Sequence, residues 1–150
     1  MTNDAERSNV RLFTAMVADL FHFGHVNFLR EARKLGDHLT VGVISDERAA
    51  GYKRTPVMTF EERAAVVAGC RYVDAVMKLD TNVTDEFMRA HRFDYRIYAV
   101  ASDEEEKRNF ATLWKDMDRS YFRRIPYTPS ISTTQIIGRL ASRLANGQGN

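Results

Sequence analysis

Cysteine is almost missing from this chain: Cys70 is the only one in 150 residues. That excludes an internal disulfide and fits a reducing cytosol. Set in an apolar helical stretch, Cys70 reads as a small buried hydrophobe. Long apolar runs are missing too. None approaches the roughly 18 residues of a membrane span, so no membrane partner is expected. The polar start, Met1 to Arg7, has no apolar centre of the kind a signal peptide carries. A surplus of one charge is the third absence. Twenty-two basic side chains against twenty acidic ones leave a net charge of +2, too balanced for a nucleic-acid binder. The expectation is a soluble cytoplasmic chain. Neither an internal repeat nor a linker divides it, so it reads as one domain over 1–150, with 1–9 and 146–150 flexible.

What is present alternates between strand and helix. Val10–Val17 is β-branched and apolar between polar neighbours, the pattern of a buried strand. Val26, Leu29, Ala32 and Leu35 then recur at helical spacing until Gly36 ends the run. His38–Ile44 is a second buried strand, followed by a polar loop over Ser45–Pro56. Thr59 and Glu62 make a capping box that opens the next helix. Tyr72–Leu79, Tyr95–Ala101 and Tyr121–Tyr127 read as further strands. Thr84–His91, Asp103–Arg119 and Ser132–Ala145 read as helices. Five strands alternating with helices predict an α/β fold: a Rossmann-like, doubly wound, parallel five-stranded sheet with helices on both faces. Ligands in such sheets bind beyond the carboxyl ends of the strands, where strand order reverses.

The chemistry gathers at two helix starts. His22-Phe23-Gly24-His25 falls between the first strand and the first helix, so two imidazoles join free backbone N–H groups and a positive dipole end. Gly24 lets a ligand approach the backbone. Ser130 to Gln135 packs hydroxyls into the start of the last helix, with Ser132 and Gln135 as a second capping box. Three hydroxyls beside one helix N-terminus exceed what capping needs, and with the N–H groups they suit two phosphates. Lys53-Arg54 on the long loop, Arg63 and Arg71 are each more often solvated surface than ligand. Taken together, these residues describe a polyphosphate site.

From about Val10 to Ile137 the chain resembles the small cytidylyltransferases, which include the glycerol-3-phosphate enzyme and the catalytic domains for phosphocholine and phosphoethanolamine. The resemblance rests on Asp19 to His25 with its H-x-G-H, Ala32 to Leu39, Val43 to Glu47, Lys53 with Pro56, Glu62-Arg63, Arg71 to Val76, and Ile131 to Thr134. It implies transfer of CMP from CTP to a small acceptor with release of pyrophosphate. The acceptors to consider are phosphocholine, phosphoethanolamine, glycerol 3-phosphate, and phosphonates such as 2-aminoethylphosphonate or hydroxyethylphosphonate. His22, His25 and Lys53 would be catalytic, the histidines at the α-phosphate and Lys53 bridging it to the acceptor. Ser132, Thr133 and Thr134 would hold the β- and γ-phosphates, with Arg63 in support. Asp19, Gly24, Asp103, Tyr127 and Thr128 complete the implied nucleotide site. Magnesium is the implied cofactor, held mainly by the triphosphate rather than by protein ligands. A homodimer is implied, pairing near Arg71-Tyr72-Val73-Asp74.

Departures from the family pattern are specific. Met16 stands where a glycine is usual and Ala18 where a phenylalanine is. Ala101-Ser102-Asp103 replaces a Gly-Asp-Asp-like signature, and Tyr127-Thr128-Pro129-Ser130 replaces Arg-Thr-x-Gly. Losing that arginine removes a fixed, forked cation from a triphosphate site, and Arg123 or Arg124 is the candidate replacement. Two readings stay beside the cytidylyltransferase: an adenylyltransferase using the same groups, and a catalytically weakened nucleotide-binding module. A transition-metal site at the histidines lacks further ligands at a recognisable spacing.

Overall fold

A strand covered on both faces carries a near-continuous apolar run, and β1 (Arg11–Met16) does so, with Leu12, Phe13 and Thr14 all buried. The computed structural model describes residues 9–51, 54–129 and 131–147. Lys53, Ser130 and most of the two terminal stretches fall outside them. From β1 the chain runs through α1 (Phe23–Arg33), β2 (His38–Ile44), α2 (Asp46–Ala50), α3 (Phe60–Ala68) and β3 (Ala75–Leu79). It continues through α4 (Asp85–Ala90), β4 (Tyr95–Tyr98), α5 (Asp103–Ala111), a 3₁₀ turn (Arg119–Tyr121), β5 (Phe122–Arg124) and α6 (Thr133–Ala145).

The strands form one sheet in the order β3-β2-β1-β4-β5, every pairing parallel. One core packs Leu12, Val41, Val43 and Ile97 of the sheet against Leu29 and Ala32 of α1 and Val67 of α3. On the opposite face Phe13 and Phe122 meet Met88 of α4 with Trp114 and Met117. Helical segments therefore lie on both faces, the doubly wound arrangement expected from the sequence. Strand order reverses between β1 and β4, which puts the ligand-binding crevice of such a sheet above the end of β1.

Local departures from the expected boundaries have identifiable causes. The loop after β2 contains the short helix α2, because the Ser45 hydroxyl caps it and Asp46 and Glu47 fill its first turn. β3 begins at Ala75 rather than Tyr72. Asp74 already exchanges bonds with Leu39 there, its N–H donating to the carbonyl and its carboxylate accepting from the amide. α5 stops at Ala111, since Thr112 leaves helical geometry and the Trp114 N–H turns back to the Asn109 carbonyl. β5 is short because Pro126, which has no N–H, follows Ile125. α6 forms as its amphipathic pattern predicts, yet Leu140 and Leu144 remain exposed.

Candidate active site

The turn from β1 into α1 is held in an uncommon backbone conformation. Ala18 and Leu20 both take positive φ, 58° and 49°, a region costing a non-glycine residue about 1–2 kcal/mol. Between them Asp19 is turned inward and is almost fully buried. Its carboxylate accepts the Val57 N–H at 2.9 Å and the Met58 N–H at 3.0 Å, and its backbone carbonyl accepts the Thr133 hydroxyl at 3.0 Å. One residue thus ties β1, the loop before α3 and the start of α6 together.

The N-terminus of α1 is capped reciprocally by two imidazoles. His22 Nδ1 accepts the Gly24 N–H at 3.0 Å, and His25 Nδ1 accepts the His22 N–H at 3.1 Å. Hydroxyl and carboxylate usually share this task. A ring nitrogen that accepts an N–H carries no proton, so each neutral imidazole keeps its hydrogen on Nε2 as a donor. Burial lowers the pKa of His22. His25 is brought down to about 4, by burial first and by its neighbour His22 second, with Asp19 opposing. The rings lie 4.0 Å apart, and His25 stacks on Phe21 at 5.2 Å. A Cβ at Gly24 would come within 2.8 Å of His22 Cε1. The glycine therefore makes room for the capping ring.

Both histidines line a cavity of about 340 Å³, together with Thr14, Ala15, Arg96, Tyr98, Trp114, Tyr127, Thr128 and Ser132. A second cavity, about 370 Å³, shares Ala15, Met16, His25 and Ser132 with the first and adds Asp19, Arg54, Thr133 and Thr134. The two hollows meet at His25, over the β1–β4 switch point. At α6, Ser132 Oγ accepts the Gln135 N–H at 3.1 Å, one half of the expected capping box; among the described residues the reciprocal bond from Gln135 is not formed. Thr128 is anchored from α1, its hydroxyl accepting Asn27 Nδ2 at 2.6 Å.

Several residues expected at the site lie elsewhere. Arg63 is completely buried under the sheet end. Its Nε donates to the Met58 carbonyl at 3.2 Å, its Nη1 to those of Val17 at 2.5 Å and Ile44 at 2.9 Å, and its Nη2 to Asp46 at 2.5 Å. These bonds hold the loops and leave the guanidinium little to offer a phosphate. Arg124 pairs with Asp103 at 2.8 Å and Glu106 at 3.4 Å. Arg123 lies over the Tyr95 ring at 3.9 Å and donates to the Ser120 and Phe122 carbonyls. Neither arginine nor Asp103 lines the two cavities. Lys53 lies outside the described residues. Conversely, Arg96 on β4 lines the first cavity without having been singled out. The signal was available: a charge inside Tyr95-Arg96-Ile97-Tyr98, a strand due to be covered on both faces.

Residues 17–139 match the family described as Cytidylyltransferase-like. The chain is 33% identical over 146 residues to the ethanolamine-phosphate cytidylyltransferase of Dictyostelium discoideum, covering 93% of this chain and 39% of that one. It is 36% identical over 137 residues to choline-phosphate cytidylyltransferase A of Mus musculus, covering 87% and 36%. It therefore spans less than two fifths of the length of these curated relatives. The crystal structure of the lipopolysaccharide core biosynthesis protein from Thermoplasma volcanium GSS1 superposes with a TM-score of 0.60 at 21% identity, over 81% of this chain and 98% of that one, a likeness of fold. The match across most of its length, which spans the helix start capped by the paired histidines, makes this chain a member of the cytidylyltransferase-like family.

Proposed function

We propose that the chain transfers CMP from CTP to a small phosphate- or phosphonate-bearing acceptor and releases pyrophosphate. The observation that carries the reading is the imidazole capping box, which commits both Nδ1 atoms to the backbone and leaves two Nε2–H donors in one cavity without a partner among the described residues. An acceptor oxygen, already anionic and needing no base, attacks the α-phosphorus. The bond to the bridging oxygen breaks on the opposite side, and pyrophosphate leaves with the electron pair. Charge grows on the α-phosphate oxygens during this exchange, and fixed donors that need no reorganisation stabilise it. The histidines supply those donors, and the depressed pKa values keep both rings neutral near pH 7. The α6 N-terminus with Ser132, Thr133 and Thr134 receives the β- and γ-phosphates. Lys53 would bridge acceptor and α-phosphate from the loop.

Magnesium belongs to the same reading. Among the described residues no three His, Cys, Asp or Glu side chains converge, and the Asp19 carboxylate is taken up by two amides. Its ligands would then be phosphate oxygens and water. When bound it neutralises charge on the departing pyrophosphate. Pairing of two copies near Arg71–Asp74 is part of the proposal as well; there Arg71 covers the Tyr72 ring and Asp74 is paired to Arg33 at 3.0 Å.

The test is pyrophosphate release with magnesium, crossing CTP, ATP, UTP and GTP against phosphocholine, phosphoethanolamine, glycerol 3-phosphate and small phosphonates. Release with CTP and one acceptor, abolished in His22→Ala, is the expected result. Release with ATP alone would make the chain an adenylyltransferase. CTP binding without release from any acceptor would make it a binding module.

A further inference from the structure

The first cavity carries an unusual charge. Arg96 projects from β4 into a wall of aromatic rings, its guanidinium carbon 5.5 Å from the centre of Trp114 and 5.6 Å from that of Phe122. Its one side-chain hydrogen bond among the described residues goes to the Met117 sulfur, at 3.3 Å. Desolvation is strong enough to bring its pKa down to about 10. A cation largely removed from water is held by a carboxylate or phosphate in most proteins, yet among the described residues no carboxylate lies within salt-bridge distance of half-buried Arg96. Among the described residues no Asp or Glu lines this cavity. Glu106 is engaged by the Tyr98 hydroxyl and by Arg124.

In-line displacement fixes which part of the reaction meets this charge. If pyrophosphate leaves along the α6 hydroxyls and Arg54 of the second cavity, the attacking group enters from the opposite side of the histidines. That side is the first cavity, with Arg96 in its wall. Resting on the proposed CMP transfer, we infer that Arg96 forms an anion subsite for the acceptor. The acceptor is then a small phosphonate or phosphate ester that also carries a carboxylate, rather than one ending in an ammonium group. A guanidinium fork matches a carboxylate with two parallel bonds, and the surrounding rings strengthen that pairing by excluding water. An ammonium head would meet a like charge with no acid to offset it.

Two measurements on the full chain separate this inference from the reaction itself. The first is calorimetric binding of phosphonoacetate and of 2-aminoethylphosphonate in the presence of a non-hydrolysable CTP analogue and magnesium. The second is pyrophosphate release with CTP and the same two acceptors. Each is made on the wild type, Arg96→Gln and Arg96→Lys, with thermal melts to show that the variants fold. Phosphonoacetate should bind at least about 30-fold more weakly to Arg96→Gln, the loss expected on removing one member of a desolvated charge pair. Arg96→Lys should recover part of the affinity, and 2-aminoethylphosphonate should bind no more weakly to Arg96→Gln than to the wild type. Binding that obeys this pattern without pyrophosphate release upholds the subsite and overturns the transfer. Release with 2-aminoethylphosphonate preferred, and insensitive to Arg96, upholds the transfer and overturns the subsite. The subsite is also overturned if phosphonoacetate does not bind the wild type, or if Arg96→Gln weakens the CTP analogue and both acceptors alike.

Discussion

Replacing Arg63 with methionine separates two roles for the one arginine that is completely buried among the described residues. The guanidinium serves three backbone carbonyls, of Val17, Ile44 and Met58, and the Asp46 carboxylate. Methionine fills similar space but donates nothing. Three carbonyls left without a partner cost on the order of 1–3 kcal/mol each. Release from burying a cation offsets part of this, and breaking a buried pair costs about 3–5 kcal/mol in total. Asp46 adds little, because its side chain is 40% exposed and recovers water. A loss of about 4 kcal/mol lowers the melting temperature by roughly 8–16 °C at this chain length. Differential scanning fluorimetry gives the shift, and calorimetry with CTP at a temperature where the variant is folded gives the affinity. Arg63→Lys should fall between the two, keeping the charge but losing the fork. A variant that melts within about 2 °C of the wild type and specifically loses CTP affinity would refute the reasoning and return Arg63 to the phosphates.

Further consequences can be checked alongside. His25 takes up a proton near pH 6.5 in the unfolded chain and at about 4 in the folded one. Its contribution is therefore complete above pH 6.5 and is lost as pH falls toward 4, on the order of 3 kcal/mol; urea titrations at pH 7, 5.5 and 4.5 measure it, and His25→Asn should flatten the slope. Gly24→Ala should displace the His22 ring, costing about 1 kcal/mol of stability as a lost cap but on the order of 100-fold in turnover, since misplacing a reacting group is far more costly. Asp19→Asn replaces one acceptor of the two loop amides with a donor and should weaken CTP binding through the loop, read by calorimetry, while the far-UV circular dichroism is unchanged. Arg124→Ala removes ion pairs with Asp103 and Glu106 outside both cavities and should leave CTP affinity within about twofold, the scale of a surface substitution.

How far the chain could be read without its structure varies along its length for local reasons. Thr59 and Glu62 announce the start of α3, and both of their capping bonds form, at 3.3 and 2.9 Å. The Ser45-Asp46-Glu47 signal for α2 is of the same kind, but the helix has a single turn's worth of apolar pattern and reads as loop. The end of α5 is hidden because Thr112 and Leu113 continue the spacing, and the chain turns on tertiary packing of Trp114 in the second core. H-x-G-H was legible as the start of α1, where both histidines cap the helix and line the first cavity, since its meaning lies in a local strand-to-helix turn.

Sequence alone determined the alternation of strand and helix, the all-parallel sheet and the pairing of a histidine turn with a hydroxyl-rich helix start, because hydrophobic period and capping chemistry act over a few residues. It also determined family membership, through motifs in a fixed order. Only the tertiary structure decided which charges are tied into the fold and which face a cavity. Arg63, Arg96, Arg123 and Arg124 are the same residue type with the same local propensities. Their roles diverge because Arg63 finds three carbonyls, Arg123 a tyrosine ring, Arg124 two carboxylates and Arg96 a cavity without an acid. Those partners come from segments distant in sequence, and a charge acquires its function from the groups that desolvate and face it.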